Sequence, residues 1–397
     1  MLRVPNVALA WAAGLISAVG SGAMFVALPF YAYSVTGSVL VTATVALAEY
    51  LPTVGVAQIA GVVVDRWDPK RALVAANLAL AVCTLAYLIA DAWWWLAVVS
   101  LTRSSVAQLL PPASNTMVAA IAPAGRLAAV NSVNVIGSNT ARLLGPALGG
   151  ALLAVGGLSA VVVVDSVSFG VAAVLLVMLR LDRTVQPVAL ESWSLRWRQG
   201  WAAVRDHRVL RPLVGVMICV GFGEGFVSAL IAPWMLDVAG GSSAQLGLML
   251  SVQALGGIAG GLLMLRLDGV RTAASMLTIA ALVSGVFLVV IFNYPLIVGP
   301  TPWPAIALTA AGGVPFAVYG TAQAVMVQHH STDGLRGRIV GLTFGVQGIA
   351  QLIGIGAAGP AAHVMGPLAI NAEPLGYLAA GLLAAATIHR KAPPSPE

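Results

Sequence analysis

The stretch Gly61-Val62-Val63-Val64-Asp65-Arg66-Trp67-Asp68-Pro69-Lys70-Arg71 decides how this chain folds. It is the first dense cluster of charge, and an apolar segment of helix length runs into each side of it. A helix needs about 20 apolar residues to cross the hydrocarbon of a bilayer, and both segments supply them. The ions therefore occupy a tight hairpin between two membrane helices, on the water side, where they stay solvated. Asp68 and Pro69 bring turn-forming chemistry. Arg66, Lys70 and Arg71 mark that side as cytoplasmic through the positive-inside bias. Gly61 is the position at which a neighbouring helix is expected to approach closely.

Composition extends this reading to the whole chain. Apolar residues make up 59% and charged residues 9%, against roughly 45–50% and 25% in soluble domains, so the fold class is all-α integral membrane. The net charge of +6 is a topology signal, because all 20 Lys and Arg except Arg103 and Arg142 fall on segments or span ends predicted to face the cytoplasm. A nucleic-acid surface is thereby excluded. Asp91, Asp237 and Glu373 are the acids expected in exterior loops. Cys83 and Cys219 lie in apolar helices and read as inert buried thiols. No metal-ligand cluster, Ser/His constellation or nucleotide-binding motif occurs, so no metal, no cofactor and no enzyme activity are expected, and ATP is not the direct energy source. Residues 7–35 form too long an apolar run for a cleavable signal. Arginine far outnumbers lysine and Ala, Gly and Val abound, a composition typical of GC-rich bacteria, whose inner membrane is the expected location.

Spans are predicted at 7–34, 39–64, 72–91, 94–121, 128–155 and 158–180, then at 211–236, 244–266, 271–292, 303–328, 339–363 and 371–389. These are twelve transmembrane helices in two pseudo-symmetric six-helix bundles, residues 1–180 and 211–397, joined by a polar linker at 181–210. An even number of crossings places both termini in the cytoplasm. In the linker, Trp193, Trp197 and Trp201 recur at four-residue spacing among arginines such as Arg183, Arg196 and Arg198, which predicts an amphipathic helix lying in the inner interface.

Charges inside spans are costly and mark sites. Glu49 reads equally as a functional carboxyl or as half of a structural ion pair, and depth makes Arg103 its partner. Pro111-Pro112 is expected to kink the same helix. By depth Arg142 pairs with Asp165. Glu224, the only acid predicted in the interior of the second half, lies in Gly221-Phe222-Gly223-Glu224-Gly225-Phe226, whose glycines are expected to loosen the helix. It is the leading proton-coupling candidate, with Glu49 second. Met24, Phe25, Phe222, Tyr319 and Gln323 are candidate cavity-lining residues, and adjacent His329-His330 reads as a solvated helix end.

The spacing Gly61-x-x-x-Asp65-Arg66-x-x-x-x-Arg71 resembles the gating hairpin of the major facilitator superfamily. Gly145-Pro146-x-x-Gly149-Gly150 resembles the helix-five motif of its exporters, and Arg336-Gly337-Arg338 resembles the branch that includes macrolide-efflux proteins and the enterobactin exporter. Arg103 with Gln108 loosely resembles the helix-four Arg-x-x-Gln pattern, with longer spacing. Leu265–Arg271 looks like a worn copy of the first hairpin. The resemblance implies two bundles that rock about a central cavity lined by helices one, four, seven and ten. Helix one carries Ser21 and Gly22 where an acid is common in that family, which shifts weight to Glu49 and Glu224. The implied function is alternating-access, proton-coupled export of hydrophobic or cationic small molecules by a monomer. Its partners are the substrate, protons and the lipid bilayer. The alternatives are a nutrient symporter, disfavoured by the scarcity of polar groups on the lining helices, and a non-transporting membrane sensor.

Overall fold

The computed structural model describes residues 4–64, 66–123, 125–180, 193–264, 270–331 and 335–388, without the side chains of 58, 62, 63, 193–196, 270 and 271. Asp65 and Arg183, residues 265–269 of the second hairpin, the side chains of Trp193, Arg196 and Arg271, and the tail Ala392–Glu397 lie outside the described residues.

Every regular element among the described residues is a helix. In chain order the first helices are α1 (Pro5–Thr36), α2 (Val39–Val54), α3 (Val56–Val64), α4 (Pro69–Leu85), α5 (Trp93–Ala107), α6 (Leu110–Ile121) and α7 (Leu127–Val177). There follow α8 (Trp193–Arg205), α9 (Leu210–Pro233), α10 (Ser243–Met264), α11 (Val270–Asn293), α12 (Pro295–Val298), α13 (Trp303–His329), α14 (Arg336–Met365) and α15 (Ala372–Thr387). Twelve crossings emerge among the described residues once the breaks are counted. The pairs α2–α3 and α5–α6 each make one crossing, interrupted at Gly55 and at Gln108-Leu109. Pro111 and Pro112 fall in the first turn of α6, where proline is tolerated, so they fix the break immediately before them. The 51-residue α7 holds two crossings, because Gly157 has φ +65 and reverses the chain between them. A 3-10 turn at Gly366–Asn371 separates α14 from α15.

Two compact units result, one within Met1–Leu190 and Ser242–Ser251, the other within Glu191–Gly241 and Val252–Glu397. Small residues set the spacing of the first. A Cβ placed on Gly145 would lie 2.9 Å from the Gly22 Cα, so α1 and α7 touch backbone to backbone. Further along α7, Ser251 Oγ accepts from the Ala147 N–H at 2.9 Å and Ser243 Oγ donates to the Gly150 carbonyl at 3.1 Å. The helix-five glycines are thus spent on close packing against α1 and the first turns of α10. In the second unit, α8 packs on α14. Trp197 is half-buried against Gly345, and Trp201 stays 51% exposed, so the tryptophan stripe is divided between packing and surface.

At the first hairpin, Asp68 caps α4 by accepting from the Arg71 N–H at 2.9 Å, with Pro69 at the first helical position. Lys70 Nζ donates to the Leu179 carbonyl at 2.6 Å, tying the hairpin to the end of α7. Arg66 and Arg71 are exposed. The close approach expected at Gly61 is absent, since a Cβ there would meet nothing within 4 Å.

Candidate functional site

Each unit buries one cluster of ionisable groups. In the first, Arg103 of α5 is 7% exposed and its guanidinium donates to Asp165 Oδ2 at 2.8 Å. Glu49 Oε1 of α2 stands 4.0 Å from the same guanidinium, with its side chain 18% exposed. Thr84 Oγ1 and Ser21 Oγ accept further bonds from Arg103 at 3.3 and 3.4 Å. Ser104 Oγ donates to the Glu49 carbonyl and ties α2 to α5. The sequence paired Glu49 with Arg103, as found, but gave Asp165 a different partner. Arg142, expected to pair with Asp165, is exposed on α7. After the reversal at Gly157, Asp165 is fully buried and meets Arg103 instead. Gly20 makes this possible, because a Cβ there would lie 2.7 Å from Asp165 Oδ1. The arrangement is two carboxyls about one cation, with Asp165 as the hydrogen-bonded partner and Glu49 as the loosely held one.

The second cluster lies on α9. Tyr377 of α15 donates to Glu224 Oε1 at 3.2 Å, and Gln347 of α14 donates to Oε2 at 3.4 Å. Gln323 of α13 in turn donates to Gln347 Oε1 at 2.9 Å. Four helices therefore converge on one carboxyl. The flanking glycines are the cause of that convergence, and the helix through them is regular from Leu210 to Pro233 rather than loosened. A Cβ on Gly221 would sit 2.5 Å from the Gln347 carbonyl, one on Gly223 2.7 Å from the Glu373 Cα, and one on Gly225 2.8 Å from the Gly354 Cα. α14 and α15 close on Glu224 from two sides only because those Cβ atoms are missing.

Glu373 corrects a second expectation. Read as an exterior-loop acid, it is 7% exposed at the start of α15, against Gly223. Its Oε2 has no hydrogen-bond partner. The Glu373-Pro374 pair looks like a helix start near water; its four-residue spacing to Tyr377 was the available signal that both face the bundle. Gln347 and Tyr377 were also missed, since neither residue type stands out singly in a span.

The candidate lining residues divide. Met24 is fully buried in the core with Leu28, Val45 and Tyr87 and lines no open space within its unit. Tyr319 and Gln323 are each 3% exposed and belong to the packing and hydrogen bonds around Glu224. Phe25 and Phe222 are 43% and 37% exposed on their own units. Among the described residues no His/Cys/Asp/Glu group has the geometry of a metal site.

Comparison with known proteins places this architecture. A family profile described as Major Facilitator Superfamily matches residues 10–355. The chain is 23% identical to macrolide efflux protein A of Streptococcus pyogenes over 87% of its own length and 86% of that protein. It is 29% identical to the multidrug efflux pump Tap of Mycolicibacterium fortuitum over 95% and 89%. Among solved structures, the nucleoside transporter NupG superposes with a TM-score of 0.71 at 14% identity, covering 98% of this chain and all of that one. A bacterial homologue of the lysosomal transporter Spinster gives 0.69 at 14% identity, over 96% and 95%. The chain belongs to the major facilitator superfamily, and is a multi-pass membrane transporter rather than an enzyme.

Proposed function

We propose that this transporter exports hydrophobic or cationic small molecules from the bacterial cytoplasm across the plasma membrane, acting as a monomer driven by the proton gradient. The export direction rests on the relatives named for macrolide and multidrug efflux and on the helix-five motif Gly145-Pro146-x-x-Gly149-Gly150. The even number of crossings and the arginines at the hairpin and α8 favour both termini in the cytoplasm.

The observation that carries proton coupling is Glu224. Its carboxyl sits within a span, held by a tyrosine and a glutamine. The described spans of its unit contain no Lys or Arg between Pro212 and Met264, Thr272 and Ser331, or Ile339 and Ile388. A carboxyl so placed changes charge by exchanging a proton, because no cation is at hand to replace it. Glu49 is the second reading: its guanidinium partner is already hydrogen-bonded to Asp165, which leaves Glu49 the carboxyl free to exchange.

The test is flux in proteoliposomes under an imposed pH gradient with a compound panel. Glu224→Gln should abolish gradient-driven transport and keep substrate binding. Normal transport by that variant overturns the assignment in favour of Glu49. Accumulation of a nutrient with protons, or no flux of any compound, overturns export itself. The gating part of the reading rests on the hairpin motif: Asp65→Asn should slow flux at unchanged expression, and unchanged inter-bundle distances by spin labelling would overturn it.

A further inference from the structure

Glu373 has no role in the reading above, yet it is the more isolated acid of the second unit. α15 runs against α9 so closely that a Cβ on Gly223 would lie 2.7 Å from the Glu373 Cα, and one on Gly376 2.5 Å from the Cys219 carbonyl. One turn after Glu373, Tyr377 reaches across the same contact to Glu224. Glu373 and Glu224 therefore belong to one α9–α15 seam.

Their hydrogen bonding differs. Both oxygens of Glu224 accept a bond, from Tyr377 and Gln347. Glu373 is 7% exposed and its Oε2 accepts none. A second buried group points to the same deficit. The Tyr319 hydroxyl, 3% exposed, has no partner either, and its ring stands edge-on to Tyr377 at 5.4 Å. The seam thus holds two acids and an unused hydroxyl, with no Lys or Arg in the interior of the surrounding spans. Asp165 Oδ1 is unpartnered too, but its Oδ2 meets Arg103 at 2.8 Å. A buried carboxyl with an unpartnered oxygen and no cation beside it is tolerated when it carries a proton and not when it is ionised. Two carboxylates in one apolar seam also repel, so ionisation of one favours a proton on the other.

We propose that Glu373 is a second proton-binding carboxyl of this site, exchanged together with Glu224 in each transport cycle. The proton adds to a Glu373 carboxylate oxygen from water on one side of the membrane and leaves to water on the other, with no redox change. Two protons are then exchanged per substrate. This rests on the coupling assigned to Glu224 and extends it.

Difference infrared spectra of the purified full chain, titrated from acid to alkaline pH, read protonated buried carboxyls directly. Glu373→Gln should delete one carboxylic C=O band that Glu224→Gln leaves in place. In proteoliposomes, Glu373→Gln should halve the number of protons exchanged per substrate, read as the pH gradient that balances a fixed substrate gradient. Glu373→Asp, which keeps the acid, should move the band rather than delete it, and serves if the Gln variant does not fold. A spectrum insensitive to both substitutions overturns the proposal. So does an unchanged proton-to-substrate ratio in Glu373→Gln, or a sodium gradient that replaces the pH gradient. If Glu224→Gln transports normally while Glu373→Gln deletes its band and abolishes gradient-driven flux, the Glu224 assignment and joint exchange fail and Glu373 alone remains a proton-binding carboxyl.

Discussion

In the first unit a buried arginine stands between two carboxyls, whereas in the second unit a carboxyl is held by a tyrosine and a glutamine near another carboxyl, with no Lys or Arg in the interior of the spans. The same fold half, used twice, thus handles intramembrane charge in two ways. A cation held at 2.8 Å by a fully buried carboxylate, with Thr84 and Ser21 sharing its remaining donors, fixes α1, α4, α5 and α7 to one another. A carboxyl held only by neutral donors fixes its helices weakly and can change charge without breaking an ion pair. The difference suits a division of labour under the proposed coupling, in which the ion-paired cluster holds structure and the neutral-donor cluster is the proton carrier proposed above.

The largest expected effect tests the first half of that contrast. Arg103→Leu strands Asp165 and Glu49 without compensation, and removing one partner of a buried ion pair costs about 3–5 kcal/mol. Thermal unfolding and yield in detergent should both fall sharply. Adding Asp165→Leu and Glu49→Gln should restore most of the loss, because no charge is then stranded. Unchanged stability of Arg103→Leu would show that the arginine is not structural, and would break the comparison.

Next comes Glu224→Gln, for which little change in unfolding temperature is expected beside a loss of gradient-driven flux. Gln keeps the volume and one acceptor, so the bond from Tyr377 survives. A destabilisation matching that of Arg103→Leu would mean the second cluster is structural as well.

The sequence announced the fold far more clearly than the sites. Long apolar runs punctuated by charge and glycine fix the crossings, since a span must satisfy its backbone internally and so must be a helix. The predicted bounds agree with α1, α9, α10 and α13 to within a few residues. Partners were harder to read. Depth along a helix ranked Arg142 opposite Asp165, but depth says nothing of rotation about the axis, and Asp165 faces α5 while Arg142 faces outward. The glycines around Glu224 were visible, yet their meaning depends on what lies across from them. A helix-weakening residue and a close-packing residue are the same letter. Glu373 was misplaced because an acid beside proline near a helix start is ordinarily solvated.

A steric prediction sharpens the contrast between packed and unpacked glycines. In Gly145→Ala the new Cβ meets backbone at 2.9 Å, which cannot rotate away, so about 1–3 kcal/mol of overpacking is expected. Gly61→Ala meets nothing within 4 Å and sits inside α3, so stability should rise by up to about 1 kcal/mol from helix propensity. Paired melting curves decide both. If Gly61→Ala stabilises the protein and slows flux, the hairpin motif acts in a conformation other than this one.

The smallest effect concerns the pH profile that any test of the second unit's carboxyls will record. His207 precedes α9, and its Nδ1 accepts from the Val209 and Leu210 N–H groups at 3.2 Å, so that nitrogen carries no proton. Partial burial, and next the ring of His330 at 5.4 Å, hold the imidazole below its ordinary value. Arg205, Asp206 and Arg208 beside it are exposed, and His330 is itself held low by burial although it bonds the Met326 carbonyl. A histidine whose folded value is depressed contributes its full stability above about pH 6.5 and loses it as pH falls through the lower folded value. His207→Asn keeps an acceptor for the two amides but does not titrate. Above pH 6.5 the melting temperatures of wild type and variant should therefore differ by a constant amount. Below it the wild type should fall relative to the variant, by less than any change named above. A gap that stays constant to pH 5 would show that His207 does not titrate as a cap, and would leave the buried carboxyls to account for the whole acid limb.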